Sequence, residues 1–208
     1  DVDGFMERRL STRLVQLVEG SPTLLPPDAG GNVPVVIDGI VGGNFSQTNL
    51  PAAGGVRDLA LATTSGPLGG AITIIVNDGF GGFPALGQTL NYAGLLPRSM
   101  ALVPSPAGSS DQVVFASTGA RLGLWDPRQQ ELLESEPLLP QAIDDETQIQ
   151  VADVDRDGIL DLVVMLSIAD GQPDAGRTAI TLLRGKGPLA GGFPFYDTPT
   201  VLLIPVDA

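Results

Sequence analysis

Apolar residues in this chain gather in short runs broken by glycine, proline and aspartate, a pattern of strands and turns rather than helices. Three of these runs follow an aspartate: Asp58-Leu59-Ala60-Leu61-Ala62, Asp111-Gln112-Val113-Val114-Phe115-Ala116 and Asp161-Leu162-Val163-Val164. The three aspartates are spaced by 53 and 50 residues, and a weaker copy, Arg13-Leu14-Val15-Gln16-Leu17, starts 45 residues before Asp58. A repeat of about this length points to propeller blades or a solenoid. After each run the pattern predicts a turn and a second strand, at Ala71–Val76, Arg121–Trp125 and Thr178–Leu183. Before each run it predicts another, at Val33–Ile37, Ser99–Val103 and Gln148–Ala152. Leu138-Leu139 and Val201-Leu202-Leu203-Ile204 are expected to close their units. A glycine-rich turn also recurs, as Gly81-Gly82-Phe83-Pro84 and Gly191-Gly192-Phe193-Pro194.

Helical signal is almost absent. Gln129 to Glu136 has helix-favouring residues, but Pro127 and Pro137 flank it and predict a turn. Four short strands per repeat give an all-β expectation, a partial β-propeller of about three full repeats plus a fragment. The expected units are 1–43, a degenerate or partial blade with a Gly/Pro loop, then blades at 44–98, 99–146 and 147–208.

Composition narrows the chemistry. Among 208 residues there is no cysteine and no histidine, which excludes disulfides, thiolate zinc sites, His-ligated metals and Ser-His-Asp triads. The net charge is −13, and Lys186 is the single lysine, so nucleic acid is not the expected partner and no membrane insertion is expected. Glycine (27) and proline (18) are abundant alongside 43% apolar residues, which fits many turns around a packed core rather than disorder. No Gly-x-Ser-x-Gly elbow is present, and Gly185-Lys186-Gly187 lacks the upstream glycine of a phosphate loop. A non-enzymatic role is expected. The N-terminus shows no targeting signal, and a chain opening at Asp1 in mid-pattern is expected to be a mature or excised piece.

One motif carries specific chemistry. In Asp153-x-Asp155-x-Asp157-Gly158-x-x-Asp161 alternate carboxylates converge when the loop curls, and Gly158 permits the sharp turn. The carbonyl of Ile159 can add an oxygen, and Asp161 closes the shell from the start of the strand. Hard oxygen ligands at this spacing suit Ca²⁺. An EF-hand would need a bidentate glutamate where Val164 stands, and helices where the flanks read as strands. Asp1-Val2-Asp3-Gly4 has the form of the tail of a second such loop.

This loop, its strand and the downstream Gly-Gly-Phe-Pro turn resemble the FG-GAP or VCBS repeat of integrin α-subunit propellers and many bacterial surface proteins. The resemblance covers about three repeats, from Asn44 onward, and the metal pattern matches only at Asp153, Asp155, Asp157, Ile159 and Asp161. It implies a Ca²⁺-stabilised propeller serving adhesion, surface display or protein–protein contact, extracellular or at the cell surface. The loops before Asp58 and Asp111 lack paired acids, so these two aspartates are expected to cap turns. A carbohydrate-binding propeller, with Trp125 and Tyr196 against sugar, is the alternative, and a structural module of a larger enzyme or toxin is a third. Open sheet faces lined by Val, Leu and Phe are expected to pack against further blades, from the same or another chain.

Overall fold

The three aspartate-led runs form the second strands of three separate antiparallel sheets. In the computed structural model, the structure describes residues 37–46, 57–63, 70–78, 82–83, 85–92, 95–105, 110–117, 120–137, 139, 147–168, 174–187, 193–195 and 198–205. The first sheet contains β1 (Ile37–Gly43), β2 (Asp58–Thr63), β3 (Ala71–Val76) and β4 (Ala85–Asn91). The second contains β5 (Leu95–Val103), β6 (Gln112–Ser117), β7 (Arg121–Asp126) and β8 (Glu131–Glu134). The third contains β9 (Gln148–Ala152), β10 (Asp161–Ser167), β11 (Arg177–Leu183) and β12 (Thr200–Pro205). Each sheet is an antiparallel meander, its strands neighbouring in chain order, and no helix occurs among the described residues.

Three strand expectations shift, one of them because β5 begins at Leu95 rather than Ser99, before the expected boundary at 98. The first strand lies at Ile37–Gly43, so it begins where Val33–Ile37 was expected to end, and residues 33–36 are outside the described residues. It belongs to the same sheet as β2–β4, although the sequence division placed it in the 1–43 unit. The closing strand of the second sheet is Glu131–Glu134 rather than Leu138-Leu139. Its two leucines serve opposite faces, Leu132 against the first sheet and Leu133 against the third, which a strand between two layers requires. Leu139 is buried and donates its N–H to the Ala120 carbonyl from outside the strand. The run from Gln129 is a turn leading into β8, as the flanking prolines predict. The copy at Arg13–Leu17 lies outside the described residues.

The sheets stack face to face. Ala60, Ala62, Ile72 and Ile74 of the first sheet pack on Met100, Val113, Phe115 and Trp125 of the second. Val114, Ala116, Leu122 and Leu124, on the other face of the second, pack on Leu162, Val164, Leu166, Ala179 and Leu183 of the third. The central layer is therefore apolar on both faces, which explains the unbroken run Val113-Val114-Phe115-Ala116 where a one-sided strand would alternate. First strands adjoin, β1 with β5 and β5 with β9.

Polar contacts tie the first two sheets at their outer edge. Gln130 Nε2 donates to Gln88 Oε1 at 2.6 Å, and the Tyr92 hydroxyl donates to the Glu134 carboxylate. The Tyr92 ring meets Phe115 edge-on, with centroids 5.1 Å apart. Burial, and then the Glu134 hydrogen bond, hold the Tyr92 hydroxyl above its ordinary value of 10.0. The folded state thus keeps this proton at pH values where the unfolded chain releases it. The stabilisation is complete below the ordinary tyrosine range and is lost as pH rises through the folded value. In urea unfolding the midpoint is expected to fall above about pH 10, and Tyr92→Phe should flatten that alkaline fall.

Candidate metal centre and the aspartate bridges

Strand pairing, rather than spacing in the sequence, decides which residues are equivalent among the sheets. Asp58 pairs with Gly43 at the end of β1, and Asp161 pairs with Ala152 at the end of β9. In the second sheet the residue paired with the end of β5, Val103, is Gln112 and not Asp111. The next pairs agree: Leu59 with Ile75, Leu162 with Leu183 and Val113 with Trp125. The sequence repeat, anchored on Asp111, is thus one residue out of step in the second sheet.

Asp58 and Asp161 perform the same local task. Both are buried, and each joins the loop after the first strand to the loop after the third. Asp58 Oδ2 accepts the N–H groups of Phe45 (3.1 Å) and Ser46 (2.7 Å), and its Oδ1 accepts that of Asn77 (2.9 Å). Asp161 Oδ2 accepts Val154 N–H (3.1 Å), and its Oδ1 accepts Gly185 N–H (2.9 Å). Gly185 must approach closely, since a Cβ there would lie 2.3 Å from the Leu160 carbonyl oxygen. The second sheet has lost both halves of this bridge. Gln112 replaces the carboxylate, and the position equivalent to Asn77 and Gly185 is Pro127, which has no N–H to donate. Its turn closes on itself, with Asp126 Oδ1 accepting from Arg128 and Gln129 N–H.

Asp111, one step earlier, reaches between sheets. Its Oδ1 accepts Ser105 N–H at 3.0 Å, the turn-capping role expected of it. Its Oδ2 accepts Asn44 N–H at 2.8 Å, while its own N–H donates to the Asn44 carbonyl at 2.8 Å, a reciprocal clasp on the first sheet.

Among the described residues, only the third sheet adds convergent acids to the bridge. Asp153, Asp155 and Asp161 bring carboxylate oxygens to within 4.8 Å of one another, with Asp161 buried and the other two exposed. The loop is shaped by its own side chains. Asp153 accepts the N–H groups of Asp157 (3.1 Å) and Gly158 (3.0 Å), and Asp155 Oδ1 accepts that of Asp157 (3.3 Å). Arg156 and Gly158 take positive φ, 64° and 85°, which turns the chain back toward β10. Asp157 stands outside the convergence and instead accepts Ile159 N–H at 2.7 Å. The Ile159 side chain packs beside Gly185 and Gly187. Arg184 completes the neighbourhood, its guanidinium 3.0 Å from Asp155 Oδ2, a contact with no sequence signal because it joins loops far apart in the chain.

Three carboxylate oxygens this close together form a donor set that could hold a metal ion. Asp161 retains capacity for it, because a carboxylate offers about four lone-pair directions and here uses two. A second concave feature among the described residues, a crevice between the first two sheets lined by Phe45, Ser46, Ile74, Val76, Gln88 and Arg128, is as polar as it is apolar. Trp125 is only 2% exposed, within the core between those sheets, and Tyr196 lies outside the described residues. Asp1–Gly4, the other loop-like motif, is outside them too. No protein-family profile matches the chain, and comparison with curated proteins finds no match.

Proposed function

We propose that the chain is a segment of a β-propeller, stapled by Ca²⁺ at Asp153, Asp155, Asp157, Ile159 and Asp161, that serves protein–protein contact rather than catalysis. The observation that carries the metal assignment is the convergence of Asp153, Asp155 and Asp161 above a buried backbone bridge. Asp157 and the Ile159 carbonyl complete the shell when the loop tightens on the ion. Stacked four-stranded meanders whose first strands adjoin support the propeller assignment. An extracellular or cell-surface setting belongs to this reading, since modules there fill with calcium in the millimolar range. The burial of Trp125 favours protein contact over the carbohydrate alternative, which relies on it as a sugar platform.

Calcium here is a staple. Without a cation the exposed carboxylates repel, opposed among the described residues by the Arg184 guanidinium and the loop N–H groups they accept. Modules of this type bind with a Kd of about 10⁻⁴–10⁻³ M. At ten times Kd, binding to the folded state alone adds about 1.4 kcal/mol. Calorimetric titration of Asp155→Ala is expected to show affinity lowered by about tenfold or more, since a charged ligand is lost. Asp111→Ala, whose carboxylate is committed to Ser105 and Asn44, should leave the affinity unchanged. An unchanged affinity in Asp155→Ala, or a melting temperature indifferent to chelator, would refute the assignment.

A further inference from the structure

The two seams between the sheets are filled differently. Between the second and third sheets, Leu133 of β8 pairs with Leu124 of β7 and packs into the apolar seam. By register Ile74 of β3 holds the place of Leu124, but the first sheet sets no leucine beside it. There β4 meets Ile74 with two residues, Gly87 and Gln88, because the pairing shifts between Thr73–Thr89 and Ile75–Leu86. The corresponding strand pairs of the other two sheets run without a shift. A bulge of this kind re-aims a side chain and is frequent beside functional sites. The first seam stays open at this point as the crevice of about 220 Å³, with Phe45, Ile74 and Val76 as apolar lining and the exposed Gln88 and Arg128 as polar lining.

A second departure of the repeat lines the same crevice. The turn after β7 begins with Pro127, which replaced the bridge donor of the other sheets, and Arg128 follows it. Gln130, in the same turn, takes a positive φ of 55° and donates its Nε2 to Gln88 Oε1 at 2.6 Å. That bond engages the Gln88 carbonyl and leaves the amide NH₂ as a donor. The polar lining thus offers the Arg128 guanidinium, the Gln88 NH₂ and the Ser46 hydroxyl, and among the described residues it includes no carboxylate. In a chain with 24 Asp and Glu against 11 Lys and Arg, this is a local reversal of charge.

We propose that this crevice receives a carboxylate on a short apolar stem, and that its source is a glutamate side chain of a partner protein. The carboxylate accepts from Arg128 and Gln88, a charge-assisted contact about twice as strong as a neutral one, while its methylenes lie against Phe45, Ile74 and Val76. Size separates a side chain from a free ligand. A cavity of about 150 Å³ already holds a benzene ring, whereas pockets for free ligands run to about 300–1,000 Å³. One side chain fits here, and the partner's flanking residues supply the remaining contact. The inference rests on the protein-contact part of the proposed function. Its failure leaves the calcium staple standing, because Asp155→Ala and chelation test that at the other seam's loop.

NMR titration of the full chain tests it with three probes: the end-blocked peptide Ala-Ala-Glu-Ala-Ala, its glutamine counterpart, and glutarate as a free diacid. The glutamate peptide is expected to give saturable shifts at the Gln88 side-chain NH₂ and the Arg128 Nε–H. Binding should weaken by about tenfold or more with the glutamine peptide, and equally in Arg128→Gln, since a hydrogen bond to a charged group is lost. Gln88→Leu, which copies Leu133 of the second sheet, should fill the crevice and abolish the shifts while the urea midpoint holds or rises. Undiminished binding by the glutamine peptide, by Arg128→Gln or by Gln88→Leu would overturn the proposal. So would a crevice that takes glutarate and excludes the glutamate peptide, because the occupant would then be a free acid.

Discussion

Replacing Asp58 by alanine is expected to cost about 4 kcal/mol of stability, because three inward-turned N–H groups lose a charged acceptor at one stroke. Phe45, Ser46 and Asn77 all donate to this carboxylate, which is 5% exposed. Asp58→Asn should recover only part of the loss, since its amide NH₂ would confront an N–H donor. Asp111→Ala provides the contrast. It removes two bonds, one of them exposed, so about 1 kcal/mol is expected. Urea unfolding midpoints of the three variants measure the order. Equal losses in Asp58→Ala and Asp111→Ala would mean the bridge is not what holds the two loops of the first sheet together.

Gly123→Ala is expected to destabilise by about 2–3 kcal/mol, although alanine is ordinarily the better residue in a strand. Gly123 pairs across β6–β7 with Phe115, whose ring lies over it. A Cβ at Gly123 would lie 2.2 Å from Phe115 Cζ and 2.5 Å from Cε2, and the ring, fully buried against Tyr92, has nowhere to retreat. The clash therefore propagates into the interface between the first two sheets. Trimming the ring should relieve it: Phe115→Leu combined with Gly123→Ala is expected to be more stable than the sum of the single losses by about 1–2 kcal/mol. A double-mutant cycle by chemical denaturation reads this coupling. Strict additivity would show that the glycine is not there to receive the ring.

Much of the architecture is local and so was legible in the chain. Strands such as Ala71–Val76 and Gln148–Ala152 are bounded by glycine, proline and aspartate, and the same bounds appear in the structure. The acidic loop was equally legible, because the alternation of Asp153, Asp155 and Asp157 before Asp161 is written in consecutive residues. Its shape required the structure: hydrogen bonds within the loop turn Asp157 toward Ile159 N–H and leave Asp153, Asp155 and Asp161 to converge.

By itself, then, the sequence determined the all-β class of the sheets and the place of the acidic loop, since apolar runs and turn residues act over a few neighbours. Tertiary structure alone decided the register of the second sheet. Asp111 and Gln112 are adjacent, and a one-residue slip exchanges the two faces of a strand whose residues are apolar on both, so composition cannot choose between them. Pairing with Val103 chose Gln112, and that choice freed Asp111 to clasp Asn44 in the neighbouring sheet. The loss of the bridge in that sheet was likewise hidden, because it needs Gln112 and Pro127 to be seen as partners across the sheet. Which apolar faces are covered was decided at the same level: β6 and β10 read alike as strings, and only stacking buries both faces of the one and leaves Met165 and Leu202 of the third sheet open.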